Sequence, residues 1–233
     1  MSDIEASVLI TGGTGGLGTA VVGRFLSGGW RVVVPCRDVA DADRLTGHDA
    51  LETLVCDLFA EGSVRTVAEV AAADAGQPLR AVINLVGGFA MSGKVHQTPV
   101  EEFESQLRLN LRATYLVSQA TIPYLIRSGG GAITCVSSRA ALRPFAGAAG
   151  YITSKLAVLG LVDSLAAEYL ADGVRVNAVL PSVIGTPANR AGQPEADHSR
   201  WVHPDRIADV LLFLSGDMAS VISGAHIPVY GRA

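Results

Sequence analysis

Seven short apolar runs, near residues 7–11, 31–35, 51–55, 80–86, 131–137, 174–180 and 225–229, alternate along this chain with longer stretches whose apolar residues recur every three or four positions. The short runs have the length of buried strands; the longer ones, near 16–28, 61–75, 99–127, 150–171 and 204–215, have the period of amphipathic helices. Alternation of this kind leaves few arrangements. Parallel strands need a crossover to carry the chain back, and right-handed crossovers put helices on the faces of one sheet. The expectation is an α/β fold, a doubly wound sheet of about seven parallel strands in a single domain spanning 1–233. Ligands of such a sheet bind beyond the carboxyl ends of its strands. Pro123 should kink the long helical run or end it early, and the glycines at 129–131 and Gly173 should stop helices before the fifth and sixth strands.

Composition excludes several classes. The chain is 49% hydrophobic and 17% charged, with no Pro/Ser-rich or charged linker, so one large core is expected. A net charge of -4 and scattered arginines leave no basic face for nucleic acid. The opening MSDIEASVLI lacks the basic and apolar regions of a leader, and no uncharged apolar run reaches about 18 residues, so no membrane partner is expected. Cys36, Cys56 and Cys135 are odd in number, unevenly spaced and each at the end of a strand-like run, which reads as buried thiols in a reducing, cytoplasmic setting. No metal site is expected: His198 and His203, the closest histidines, fall in a polar loop.

After the first strand comes GGTGGLG and then the helical TAVVGRFL. Glycines here let backbone N–H groups approach an anion, and the helix start adds partial positive charge. Thr11, Gly12, Gly16, Leu17 and Gly18 are therefore candidate cofactor-binding residues. Their spacing departs from G-x-G-x-x-G, and with it the chain resembles the short-chain dehydrogenase/reductase family, a resemblance running from Thr11 to the last strand. It implies a Rossmann-like sheet binding NAD(P)(H). The second strand ends VVVPCRD, where an acid would bond the adenosine ribose hydroxyls and an Arg would meet a 2′-phosphate. The family's acid position falls on Cys36 and Arg37 follows, favouring NADP(H) over NAD(H), although Asp38 could neutralise Arg37 and Gly15 occupies the family's other basic position. Asp57 resembles the acid that bonds the adenine amino group; it could also simply cap the next helix. Asn84 matches the first residue of the family's Asn-Asn-Ala-Gly motif, with Leu85 and Val86 departing and Gly87 retained. Asn110 is a poor helix former among good ones, so it has a bonding task; the resemblance assigns it a water that relays protons to Lys155.

The stretch 138–155, SRAALRPFAGAAGYITSK, carries the chemistry. Tyr151 and Lys155 are four apart, so on a helix they share a face. A tyrosine with a pKa near 10 exchanges protons poorly at neutral pH. A lysine ammonium at ~4 Å, in an effective dielectric near 20, would contribute about 4 kcal/mol and lower that pKa by about three units. The plain alternative is a surface pair. The resemblance implies that Tyr151 is the general acid/base, that Ser138 bonds the substrate oxygen and that Lys155 grips the nicotinamide ribose; Ser137 competes for the serine role, and the thirteen-residue step to Tyr151 selects Ser138, as in the family.

On the substrate side, the family's Pro-Gly becomes Pro181-Ser182, and Thr186 falls where the family bonds the cofactor. A short lid, 182–203, resembles that of dihydropteridine reductases, a branch without the catalytic serine present here. Arg139, Arg143 and Arg190 could meet an anionic or acyl-carrier substrate, or be solvated loop charges. The apolar helix containing LAVLGLV suits a homodimer or homotetramer. The functional expectation is an NAD(P)(H)-dependent oxidoreductase acting on a ketone or secondary alcohol, with a dihydropteridine-reductase-like or 3-oxoacyl-carrier-protein reductase activity as the nearer alternative, and a catalytically silent nucleotide-sensing module as the alternative of another class.

Overall fold

The computed structural model describes residues 6–45 and 47–232; residues 1–5, on which much of the leader reading rests, lie outside the described residues. In chain order the elements are β1 (Ser7–Thr11), α1 (Gly18–Ser27), β2 (Arg31–Cys36), α2 (Val39–Ala42), β3 (Leu51–Val55), α3 (Glu61–Ala71), β4 (Leu79–Asn84), α4 (Val100–Leu107), α5 (Ala113–Arg127), β5 (Gly131–Val136), α6 (Ala149–Tyr169), β6 (Val174–Pro181), α7 (Pro187–Gly192), α8 (Pro204–Ser215) and β7 (His226–Val229). The strands form one parallel sheet in the order β3-β2-β1-β4-β5-β6-β7. The chain winds outward from β1 to β3, returns to β4 and winds the other way. The crevice between β1 and β4 is thus the switch point where ligands of such sheets bind.

Alternating side chains divide the core into two layers. Leu9, Val33, Val82 and Ile133 pack under α3, α5 and α6 with Val67, Leu125 and Val162. Val8, Ile10, Val32 and Ile83 face α1 and α8 with Phe25, Ile207, Leu211 and Leu214. β1 is buried along its whole length, whereas the edge strand β3 is partly exposed and carries Glu52, paired with Arg31 at 2.6 Å. The other edge, β7, is short and contains Pro228, which an edge strand tolerates. All three cysteines are buried free thiols.

Two expectations about helices change. Pro123 does not end its helix: α5 continues through it to Arg127. Leu116, Ile122 and Leu125 are buried on either side of the proline, and their packing outweighs the lost hydrogen bond. The long run is instead divided at Arg108–Arg112 by one π-helical turn, which joins α4 to α5 and places Asn110 inward at 1% exposure. The stretch Ala149–Asp172 is, by length and composition, apolar enough to cross a bilayer, although Lys155, Asp163, Glu168 and Asp172 keep it from being an uncharged run. Here it is the crossover helix of the sheet, with Val158, Val162 and Leu165 packed in the core.

Candidate active site

The first turn of the chain sits at the open end of the β1–β4 crevice. Thr11 pairs in register with Asn84, and its hydroxyl accepts from the Leu85 N–H at 3.2 Å, tying the two strand ends together. Gly12 is left-handed (φ 69°), and the Gly15 N–H returns to its carbonyl at 3.1 Å. A Cβ on Gly18 would lie 2.1 Å from the Gly12 oxygen, so only glycine closes this turn. No side chain caps α1. Its leading N–H groups and dipole are available to a diphosphate. Thr186 lies across the turn against Gly16, where a Cβ would come within 2.9 Å of the threonine; its own hydroxyl caps α7 by accepting from the Asn189 N–H at 3.2 Å.

At the end of β2, Arg37 is 83% exposed and its Nε bonds the Asp41 carboxylate at 2.8 Å; Arg44 reaches the same carboxylate at 3.2 Å. Asp38, which could have neutralised Arg37, caps α2 by accepting from the Asp41 N–H at 2.8 Å and leaves the ion pair to Asp41. Helix α2 makes the difference, because it turns the buried Asp41 back toward the arginines. Asp41 is held below the usual carboxylate range chiefly by the Arg37 hydrogen bond. Asp57 stands beyond β3 and accepts from the Phe59 N–H at 2.8 Å, a local turn two residues ahead of the α3 start. Pro181 ends β6, and the adjoining Ser182 hydroxyl donates to the Tyr230 carbonyl at 2.7 Å.

Beyond β4 and β5 the remaining candidates converge. A Cβ on Gly87 would lie 2.6 Å from Asn110 Oδ1 and 2.9 Å from Lys155 Nζ, so both side chains face one bare glycine. Asn110 Oδ1 accepts from the Gly88 N–H at 2.9 Å, while its Nδ2 donates to the Gly88 carbonyl at 3.1 Å and to Ser154 Oγ at 3.0 Å. This is the bonding task implied by an asparagine at that point. Asn84 Nδ2 approaches Ser118 Oγ at 3.4 Å and Cys135 Sγ at 3.8 Å, and its buried Oδ1 has no hydrogen-bond partner. Ser137 and Ser138 divide two tasks. The Ser137 hydroxyl donates to the Lys155 carbonyl at 2.7 Å, whereas the Ser138 hydroxyl accepts from the Ala140 N–H at 3.1 Å and lies close enough to the Tyr151 phenol to influence its titration.

The electrostatics differ from the simple Tyr–Lys expectation. Burial raises the Tyr151 pKa above its ordinary value, with the Ser138 hydroxyl opposing. Lys155, at 6% exposure, is pushed down by burial to about 8, with the nearby Cys135 opposing. Its Nζ donates to the Val136 carbonyl at 3.0 Å. Desolvation therefore exceeds the attraction expected from helical spacing alone.

Residues 6–197 match the short chain dehydrogenase family. The chain belongs to the short-chain dehydrogenase/reductase family. As a member, this short-chain dehydrogenase/reductase is an NAD(P)-dependent oxidoreductase moving hydride between nicotinamide and an alcohol or carbonyl carbon. It is 32% identical over 241 residues to 2-(R)-hydroxypropyl-CoM dehydrogenase of Xanthobacter autotrophicus, covering 96% of each chain. A short-chain type dehydrogenase/reductase of Mycobacterium ulcerans superposes with a TM-score of 0.92 at 26% identity, over 100% of this chain and 90% of that one. The 3-ketoacyl-(acyl-carrier-protein) reductase of Brucella melitensis, complexed with NADH, superposes at 0.87 and 29% identity, over 97% and 98%.

The cofactor of this short-chain dehydrogenase/reductase fits the residues present. The uncapped α1, the glycine turn, Gly87 and the unpartnered Asn84 oxygen all lie along the strand ends. Two neighbours were not singled out from sequence. Phe89 stands edge-on to Tyr151, ring centroids 5.0 Å apart at 85°, and Phe145 lies 6.4 Å from Phe89. Their signal was available: each is a large aromatic in a Gly- or Pro-containing loop just after a strand, where nothing in a core pattern requires one.

Proposed function

We propose that this protein interconverts a ketone and a secondary alcohol with NADP(H) favoured over NAD(H), using Tyr151 as general acid/base. One observation carries the reading: Lys155 Nζ, from the helix that also carries Tyr151, and Asn110 Oδ1 face the same bare Gly87 beyond β4, next to the glycine turn. When bound, the nicotinamide supplies or accepts the hydride. Ser138 holds the substrate oxygen beside Tyr151, which protonates it on reduction and takes the proton back on oxidation. Lys155 grips the nicotinamide ribose hydroxyls, and Asn110 holds the water that replenishes the proton. Thr11, Gly12, Gly16, Leu17 and Gly18 cradle the diphosphate, Asp57 meets the adenine, Asn84 and Gly87 shape the floor, and Pro181 and Thr186 close the cofactor from the lid 182–203.

Arg37 supports the NADP(H) preference. Asp41 fixes its Nε, and among the described residues its Nη groups bond nothing else. They can take a 2′-phosphate as a charge-assisted pair. Arg37→Ala is expected to weaken NADPH binding about tenfold and NADH binding less than twofold in a fluorescence titration; equal effects would remove Arg37 as the discriminating residue. The exposed hollow formed by Leu107, Leu111, Tyr115 and Leu161 along α4 to α6 suits a homodimer or homotetramer, in a cytoplasmic setting. Incubation with NADPH and a ketone panel, followed by loss of reduced-cofactor absorbance, tests the activity. Turnover is expected; cofactor binding without oxidation by any ketone would favour the silent nucleotide sensor.

A further inference from the structure

A cavity of about 370 Å³ adjoins Tyr151 on the side formed by the segments 90–106 and 147–151. Its walls are fastened together: the Ser92 and Gly93 N–H groups both donate to the Gly147 carbonyl, at 3.0 and 3.2 Å, and Met91 packs on Gly147. Each polar side chain of the lining, apart from Tyr151, already has a partner within the protein. Ser92 donates to Glu102, Thr98 donates to the Lys94 carbonyl at 3.1 Å, and Gln106 accepts from Asn110 at 3.4 Å. What the cavity mainly offers a visitor is the apolar surface of Ala90, Val95, Val100, Phe103 and Ala148 and the ring of Tyr151, with Gln106 Nε2 and the second Glu102 oxygen as its few unpaired polar groups among the described residues. Val95 and Val100 remain 74% and 60% exposed. Phe89, edge-on to Tyr151, and Phe145 beside it add two further exposed aromatic rings next to the tyrosine.

Resting on the carbonyl-reductase reading above, we propose that the substrate is a ketone or secondary alcohol bearing an alkyl or aryl substituent, seated in this cavity, and not a polyol or sugar. An apolar group gains by leaving water here, whereas a row of hydroxyls would exchange its hydration for a largely apolar lining with too few unpaired polar groups to replace it. Each methylene buried should raise kcat/KM about fourfold until the cavity is filled.

The test is the NADPH-dependent reduction of 2-butanone, 2-pentanone, 2-hexanone and acetophenone against dihydroxyacetone. The expected result is a stepwise rise along the alkyl series, with acetophenone and 2-hexanone preferred over dihydroxyacetone by at least fiftyfold. Ala90→Phe, which fills the cavity from a partly exposed loop, should reduce the preference for acetophenone over 2-butanone at least tenfold. A flat series, a preference for dihydroxyacetone, or an unchanged preference in the variant overturns the proposal. Calorimetric titration of the cofactor-loaded protein with 1-phenylethanol reads the cavity independently of turnover. Saturable binding weakened about tenfold by Ala90→Phe sustains the proposal even where no ketone is reduced, in which case the carbonyl-reductase reading alone fails; absence of binding overturns it whatever the turnover.

Discussion

Tyr151→Phe should lower kcat for ketone reduction by about 10²–10⁴-fold, the range for losing a positioned general acid, and leave the dissociation constant of the reduced cofactor within about twofold. The ring that packs edge-on with Phe89 is retained, so the variant removes one oxygen and little packing. In the ligand-free protein burial holds the phenol pKa above its ordinary value, so the hydroxyl carries its proton at neutral pH. Reduction uses that protonated form. Alcohol oxidation needs the deprotonated form, so its rate should rise with pH while the reduction rate does not, and the variant should lose this pH dependence along with the rate. Stopped-flow cofactor oxidation measures the first effect and steady-state pH profiles the second. Unchanged turnover would remove Tyr151 as the proton donor.

Lys155→Met should cost at least about 100-fold in kcat/KM, within the range for a positioned catalytic group, and yet make the protein more stable. The lysine pKa falls from 10.5 unfolded to about 8 folded because burial disfavours the ammonium. Between those values the unfolded chain binds a proton that the folded chain does not, so wild-type stability rises with pH from about 8 to about 10.5. Below that window the full penalty applies, roughly 3 kcal/mol at 1.36 kcal/mol per unit. Methionine removes the charge but leaves the Val136 carbonyl without its donor, which returns about 1 kcal/mol. A net gain of roughly 1–2 kcal/mol at pH 7 is expected, with a melting temperature about 2–6 °C higher. Above pH 10.5 the penalty is gone and only the lost hydrogen bond remains, so the gain should reverse and the variant become less stable than wild type by about 1 kcal/mol. A lower melting temperature at pH 7 would show that the buried ammonium stabilises the fold.

The sheet was legible because its signal is repetitive. Each strand from β1 to β6 lies within two residues of its apolar run, and the fully buried β1 shows why: on a strand covered on both faces, every position must be apolar or small. The glycine turn and the Tyr-x-x-x-Lys spacing were legible because backbone sterics and helical period are local rules. What escaped was settled at long range. The π turn around Asn110 depends on bonds to Gly88 and Ser154, 22 and 44 residues away, and no local pattern announces it. Of the two outcomes expected at Pro123, an early helix end does not occur, since packing on both sides carries the helix through it. The lysine's depressed pKa likewise comes from its burial beside β5, which spacing along a helix does not contain.

Asn110 spans the loop after β4, the junction of α4 with α5, and the second turn of α6, three segments that are remote in the chain. The first half of the chain lacks Ser154 and Lys155, so it cannot by itself build the reactive end of the crevice. Competence for hydride transfer therefore requires α6 to be docked against the loop after β4, so the reactive end of the crevice is a product of the complete fold and not of its first half.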